Sequence, residues 1–405
     1  MSHRTRMTIT REGWSYLGML GFIIAGAVIR DINLLYIMAG MMMGPILFSI
    51  YASTKSLRKL HLQRRYQSLV EVGSPFYVEV TAEKPKSGSH AFATVVRDVL
   101  QRDGDRKNSS TDISLFFAHI PRDGSASAAY RACLNRRGKY RLGPMQASTS
   151  IPVGLVRATI VDAQHDFILV SPQLGELSPA WSRRLDVRLD GGQRSIRRRG
   201  KAEGNFYGMR EWRNGDSRNW IHWRTSAKRN KLTVKQFEKR INQDVVVVLD
   251  LWKAELVKSP DPDVESAISF AATLLFEYGK HGSTPMLIAS ASRQAFELQG
   301  TSSPVFKQEL MERLAMVEPS MEDTLPEVLP SVLPKVSSNA RIVLVSPGPR
   351  DLQDTTTFAK IWNRTDLRRS LSEIVKVDTS SPDFASWFRT KSTVKTEPVN
   401  QEVPA

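Results

Sequence analysis

"WSYLGMLGFIIAGAVIRDINLLYIMAGMMMGPILFSIY", residues 14–51, consists of two uncharged apolar runs hinged on a short polar break. The first run ends at Ile29 and the second opens at Leu34, with only Arg30, Asp31, Ile32 and Asn33 between them. As a helix rising about 1.5 Å per residue, each run is near the length that crosses a ~30 Å hydrocarbon layer. So short a break folds the two back on each other. A secretory signal peptide accounts for the first run but not the second, and no small-residue cleavage site leads into a polar mature start. A buried hairpin of a soluble protein would carry polar positions on its outer face. Residues 13–51 are therefore read as a transmembrane helical hairpin, with the lipid bilayer as its partner.

The flanks set the orientation. Arg4, Arg6 and Arg11 precede the first run, while Lys55, Arg58, Lys59, Arg64 and Arg65 follow the second. Basic flanks stay on the cytoplasmic side. Residues 1–12 are thus a cytoplasmic N-terminus, 52–65 a basic linker, and the rest of the chain a cytoplasmic body on an anchor. Gly40 and Gly44 form a GxxxG pair, and Gly21 with Ala25 a second small-residue pair. Such spacing allows close helix packing, within the hairpin first and between copies second.

A chain of 405 residues exceeds one ordinary domain. Its charge is local: between Trp181 and Arg240 stand 18 Lys/Arg against 6 Asp/Glu, +12 of a total of +16. That describes one basic surface and not a generally basic protein. The single cysteine, Cys133, excludes a disulfide framework and a cysteine metal cluster within one chain. The seven histidines show no HExxH or HxH spacing, so no zinc site is expected.

From 66 to 180 the sequence alternates in short segments. "PFYVEVTAE", "HAFATVVRDVL", "DISLFFAHI", "ASAAYRACL", "KYRLGPMQASTSI" and "DFILVSP" read as strands set off by Gly, Pro, Asp and Ser. Pro152 and Gly154 mark a strand corner. Six or more strands without a convincing helix predict a β-sandwich. From 241 to 389 the texture changes again. "DVVVVLD" is a buried strand, 263–282 an amphipathic helix with Val264, Ile268, Ala271, Leu274 and Leu275 on its apolar side, and "TPMLIAS" the next strand. "AFELQG" is an edge strand, "SPVFKQELMERLAMV" a helix, "RIVLVSP" a strand, "TFAKIWNRTDLRRSL" a helix and "EIVKVD" a last strand. Strand–helix alternation predicts a mainly parallel sheet covered on both faces. Residues 390–405 are polar, without apolar period, and read as a disordered tail.

Between these lies the basic segment 181–240. "SIRRRGK", 195–201, reads as a solvated loop. "GMREWRNGDSRNWIHWRTSAKRNKL", 208–232, is denser: an extended piece, a turn at Asn214-Gly215-Asp216, a helix starting near Ser217, and a returning strand. Such a helix would set Trp220 and Trp223 on one face, with Arg224 four residues beyond Trp220. Asp216 can cap it and pair with Arg213, Arg218 or Arg224. Arginines among aromatics also grip single-stranded nucleic acid or an anionic lipid surface. No nucleic-acid fold signature accompanies them, so a specific nucleic-acid grip is not expected.

This segment resembles the signature of the family described as domain of unknown function 58, which runs approximately R-x-Y-x-x-G-D-x-x-R-x-I-x-W-x-x-S-A-R. The resemblance rests on Arg210, Gly215, Asp216, Ile221, Trp223, Ser226, Ala227 and Lys228, with Arg218, just after Ser217, one place before the pattern's arginine, Trp212 in place of the usual tyrosine and Asn214 where proline is common. It extends to the two spans, the β-rich unit and the α/β end. The resemblance implies a multi-domain bacterial protein of the cytoplasmic (inner) membrane. In it the hairpin and β-sandwich precede a C-terminal α/β domain that resembles a von Willebrand factor A (Rossmann-like) domain. Those domains often hold a divalent cation through Asp-x-Ser-x-Ser after the first strand. Here the loop reads Asp250-Leu251-Trp252-Lys253-Ala254; both hydroxyls are lost and a lysine stands where the cation would bind, so no metal or other cofactor is expected. The resemblance implies an adaptor or scaffold for client proteins beside a MoxR-type AAA+ ATPase. A hydrolase or transferase would need a catalytic triad, a phosphate loop or a metal cluster, and the sequence offers no candidate for any of them, so no enzyme is expected. The other reading is a membrane-tethered binder of nucleic acid or another polyanion.

Overall fold

The computed structural model describes residues 5–104, 110–181, 183–184, 199–200, 206–213, 216, 218–238, 244–255, 260–281, 284–337 and 340–390. They fall into two compact units that divide after Gln173.

The first unit opens with strand β1 (Arg6–Ile9), then α1 (Arg11–Arg30) and α2 (Asn33–Leu57). Both helices are long and apolar enough to cross a membrane. Asp31 makes the turn between them in the left-handed region, at φ 51°. Thr10 fixes where α1 begins. Its Oγ1 accepts the Gly13 N–H at 3.0 Å and donates to the Gly154 carbonyl at 2.6 Å, so one side chain caps the helix and ties it to the sheet. Any Cβ at position 13 would run into the Leu155 carbonyl. Only glycine fits there.

Ten further strands complete this unit: β2 (His61–Arg65), β3 (Leu69–Glu71), β4 (Pro75–Lys84), β5 (Ala91–Arg102), β6 (Thr111–Ile120), β7 (Gly124–Cys133), β8 (Gly138–Leu142), β9 (Met145–Thr149), β10 (Val156–Asp162) and β11 (Asp166–Ser171). One mixed sheet runs β1-β10-β9-β5-β8-β11-β3 with β6 on β5; a second runs β2-β4-β7. β4 alternates as its sequence predicts, with Phe76, Val78, Val80 and Ala82 turned inward. They share one core with Val96 and Leu100 of β5, Ile113 and Leu115 of β6, and Ile168 of β11. Two sheets thus enclose a single apolar interior. β1 lies in the segment read as a plain N-terminus, and α2 with β2 takes up most of the segment read as a linker, 52–65.

Arg64 corrects the charge reading. Its side chain is 1% exposed and forks onto Asp98, Nε to Oδ2 at 2.9 Å and Nη2 to Oδ1 at 2.6 Å, while Nη1 reaches Asp166 at 2.8 Å. Tyr130 donates its hydroxyl to the same Asp98 at 3.0 Å. Arg64 is a core residue of the sheets and not one of the exposed flanking charges.

The second unit is α/β. Its sheet is ordered β18 (Phe296–Thr301), β17 (Pro285–Ala291), β16 (Val245–Asp250), β19 (Arg341–Ser346), β20 (Val375–Asp378). All neighbours are parallel except the edge pair β17–β18. The run of valines makes β16 the buried middle strand. Val246 and Val248 face a cluster with Leu325, Leu329 and Ile361, and Val245, Val247 and Leu249 are buried as well. The helix Pro262–Tyr278 packs against β16 and is buried on nearly every side through Leu275, not along one stripe. Trp181, fully buried, meets its Phe270 edge-on at 5.0 Å, and the strand pair of β12 (Gly175–Leu177) with β21 (Phe388–Thr390) also lies against it. The predicted helix over 357–371 is two short ones, Ala359–Trp362 and Thr365–Glu373. Thr390, the first residue of the segment read as a disordered tail, closes a strand paired with Gly175, and residues 391–405 lie outside the described residues.

Candidate functional site

The signature is built on a small antiparallel sheet in which β15 (Thr233–Glu238) lies between β13 (Arg199–Gly200) and β14 (Phe206–Glu211). Arg210 pairs with Val234 and Glu211 with Thr233, so residues 212–232 leave and rejoin adjacent strands. Asp216 closes the first turn. Its N–H donates to the Arg213 carbonyl at 3.0 Å, and its Oδ2 accepts the Arg213 N–H at 2.8 Å. The same carboxylate takes a two-pronged contact from Arg210, at 2.6 Å on each oxygen. That hydrogen bond holds the Arg210 guanidinium above its ordinary pKa. The ion-pair partner of Asp216 is therefore Arg210, six residues back, and neither Arg213, Arg218 nor Arg224 as the sequence pattern predicts. Gly215 and Ser217 lie outside the described residues.

Nor does one helix start near Ser217. Arg218–Trp220 is a single 3-10 turn, Ile221 bridges to Val234, and the α-helix runs only over Trp223–Arg229. Trp220 and Trp223 accordingly do not share a helix face. The cap comes from His222, whose Nδ1 accepts the Thr225 N–H at 3.3 Å and lies 2.8 Å from its Oγ1. The ring thus both caps the helix and holds the Thr225 hydroxyl. Ser226, buried, accepts the Thr233 N–H at 2.9 Å and donates to the His222 carbonyl at 3.1 Å, fastening helix to strand. Ile221 is buried as well. Trp212 is half-buried, its backbone N–H on the Leu232 carbonyl at 2.8 Å. What remains outside is Trp223, 66% exposed, with Arg218, Arg224, Ala227, Lys228 and Arg229.

The signature thus divides by depth. Arg210, Asp216, Ser226 and Ile221 hold the segment together; Trp223 and the cations around it face solvent. Removing the first kind and removing the second should look different. Asp216→Ala is expected to cost about 1.5–3 kcal/mol, the worth of hydrogen bonds to a charged group. A nucleic-acid surface makes the opposite demand, since deleting a carboxylate there tightens phosphate binding and spares the fold. Thermal unfolding and DNA titration at physiological salt, run side by side, decide between them. An unchanged melting point with tighter binding would sink the structural role.

A second cluster sits at the carboxyl end of the α/β sheet, where the chain leaves the adjacent strands β16 and β19 toward opposite edges of the sheet, to β17 and to β20. Such a switch point is where open α/β sheets bind ligands. Asp250, the last residue of β16, is fully buried and ion-paired to Arg350 Nε. Arg350 also forks onto Asp323, at 2.6 and 3.0 Å, and its guanidinium lies 4.5 Å from the Trp252 ring centre. Burial pushes the Asp250 carboxyl above its ordinary value, and Arg350 offsets this only in part. For Arg350, burial alone would lower the pKa, but hydrogen bonds to the two aspartates hold it raised. Lys253 does not supply the positive charge at Asp250: it turns to Asp261 and Asp263. Among the described residues there is no group of three His, Cys, Asp or Glu side chains able to hold a metal ion. Arg350 and Asp323 escaped sequence reasoning because they follow Asp250 by 100 and 73 positions and belong to no local spacing pattern.

Solved structures similar to parts of the chain include three unrelated kinds of protein. The CARDB domain of a Pyrococcus furiosus protein is 13% identical over 26% of this chain and 93% of its own, at a TM-score of 0.18. A superoxide reductase from Ignicoccus hospitalis is 13% identical over 27% of this chain and 81% of its own, at 0.19. A β-glucosidase from Listeria innocua is 14% identical over 27% of this chain and 16% of its own, at 0.18. Likenesses this slight carry nothing about fold or chemistry. No curated protein matches the sequence. The family comparison is different in kind, because it covers the segment just described. Residues 208–350, from the strand that carries Arg210 to the guanidinium on Asp250, match the model described as protein of unknown function DUF58, so the resemblance read from the signature holds over that segment.

Proposed function

We propose that the protein is a membrane-anchored, non-catalytic adaptor that docks a partner through the outer face of its signature helix. In this reading α1 and α2 span the inner membrane as a hairpin with both ends in the cytoplasm. The two-sheet unit is a β-sandwich that carries a von Willebrand A-like domain. The partner implied by the family resemblance is a MoxR-type AAA+ ATPase, with client proteins brought to it. One observation carries the reading: the segment spends its buried polar groups on its own fold and leaves Trp223 two-thirds exposed among arginines and lysines. Tryptophan and arginine are the residues that dominate protein–protein contacts.

Trp223→Ala combined with Arg224→Ala is expected to reduce crosslinking of the ATPase to the membrane-embedded full-length chain at least tenfold. The melting temperature should stay unchanged. A photo-crosslinker at Lys228 reads this out directly. Products that lack an AAA+ ATPase, or a yield indifferent to both substitutions, would refute the adaptor. The second reading, a tethered binder of nucleic acid or another polyanion, draws on the exposed Arg218, Arg224, Lys228 and Arg229. It requires crosslinks to nucleic acid and a steep fall in binding as salt rises.

A further inference from the structure

The end of the second apolar helix opens on a cavity of about 790 Å³ that the adaptor reading does not use. It lies where α2 gives way to β2, against the turn between β4 and β5. Lys55, Arg58, Lys59 and His61 line it together with Tyr51 and Ser87, and among the described residues no Asp or Glu belongs to its walls. Lys55 donates to the Tyr51 hydroxyl at 3.0 Å, and Lys59 to the Ser87 hydroxyl at 2.9 Å. Both ammonium groups are thus held at the wall by neutral partners, with their charge uncancelled. Arg58 is exposed.

A helix carboxyl end ordinarily repels anions, since its last carbonyls point outward. Here those carbonyls are covered. Arg58 N–H lies on Thr54 O at 3.1 Å, Ser89 Oγ on Lys55 O at 2.7 Å, and the buried Lys84 ammonium on Ser56 O. What faces the cavity is cationic and hydroxylic. That is the chemistry of a phosphate site, and Tyr51 and Lys55 are the residue types that anchor a helix at the headgroup level. A second cavity of about 230 Å³, lined by Leu17, Ile46, Ile50, Met7 and Leu155, runs along the same two helices and is apolar, as hydrocarbon requires.

We propose that the 790 Å³ cavity binds the phosphate headgroup of an anionic phospholipid. The assignment rests on the hairpin crossing the membrane. Lipid phosphate reaches this depth without leaving the bilayer, whereas a soluble phosphate would bind the same cations only from the cytoplasm. Each basic residue near a charged bilayer surface contributes roughly a fivefold gain in affinity. Lys55→Ala, Arg58→Ala and Lys59→Ala together should therefore weaken binding roughly a hundredfold.

The test uses the detergent-solubilised full-length chain in native mass spectrometry, with phosphatidylglycerol and phosphatidylcholine as competing probes. The expected result is retention of phosphatidylglycerol by the wild type and its loss in the triple variant, with an unchanged melting temperature. Arg65→Ala, an exposed arginine beyond the cavity, should leave retention intact. Equal retention of both lipids would overturn the proposal, as would a triple variant that still holds phosphatidylglycerol or an Arg65→Ala effect as large as one third of the triple in logarithmic terms. Inorganic phosphate that displaces the lipid at equal concentration would reassign the site to a soluble anion. Alkaline carbonate extraction separates the underlying reading: if the chain leaves the membrane, the hairpin itself fails, and the lipid site with it. If it stays while lipid selectivity is absent, only the site fails.

Discussion

Asp98→Ala is expected to cost the two-sheet unit about 3–5 kcal/mol, the penalty for stranding a buried charge. Three groups lean on this carboxylate from different strands: both prongs of Arg64, the Tyr130 hydroxyl, and the Val99 N–H at 2.9 Å. Asp98 is fully buried and the Arg64 side chain only 1% exposed, so water cannot replace what is lost. Asp166 would remain as the sole counter-charge to Arg64, and its side chain is 23% exposed. The Tyr130 hydroxyl, already held above its ordinary pKa by burial and by Asp98, would have no acceptor. Asp98→Asn keeps the shape but not the charge and should also destabilise. Replacing the triad together, Arg64→Leu with Asp98→Leu and Tyr130→Phe, is expected to recover most of the loss, because apolar groups of similar size need no partner. Hydrogen exchange at residues 91–102 reads this unit apart from the other, which a global melt does not. Protection unchanged to within about 1 kcal/mol in Asp98→Ala would show that the network bears no such weight.

The sequence carried the elements better than their company. The alternation in 75–84 and the unbroken valines of 245–249 are one-dimensional signals, and both strands appear where those signals lie. β10 was hidden because Pro152 and Gly154 mark a corner, and the strand begins only at Val156, just past them. Helix Leu325–Val332 was hidden by Pro326 and Pro330, residues that normally end helices. The first stands in the opening turn, where a missing N–H does no harm. Arg64 read as a flank charge because nothing local announces Asp98, 34 residues on.

The candidate site follows the same rule. The Arg213–Asp216 turn was legible, since a Gly-Asp pair after Asn prefers that shape. The identity of the ion-pair partner was not, because Arg210 reaches Asp216 only once β14 and β15 are paired and the turn has folded back. Helical spacing gave Arg218 and Arg224 instead, and it failed at Ile221, where the bridge to Val234 interrupts the helix. Long-range pairing decided both.

The same lesson makes the Asp250 cluster the place for the second large effect. Arg350→Met should cost about 3–5 kcal/mol near neutral pH, because it leaves a fully buried carboxylate without its guanidinium. The sign of the pH dependence follows from the raised pKa of Asp250. A carboxyl whose folded value lies above its unfolded one contributes stability that is whole below the unfolded pKa and lost as pH rises through the folded one. Without Arg350 the desolvation that raises this pKa is unopposed, so the shift grows. The deficit of the variant should therefore be deepest at pH 7–8 and shrink toward pH 5, as Asp250 takes up a proton. A deficit independent of pH would mean that the loss comes from Asp323 or from packing on Trp252, and not from the buried charge. In the wild type the Arg350 guanidinium already pairs with the Asp250 carboxylate that a cation would have to use. Millimolar magnesium should accordingly leave the melting temperature of this unit where it is, although a cation at 100 times its Kd would add about 2.7 kcal/mol. A magnesium-dependent rise that Asp250→Ala abolishes would contradict this assignment: it would require Arg350 to swing off Asp250 and Asp323 together, giving up the two-pronged contact at 2.6 and 3.0 Å for a metal with few ligands in reach.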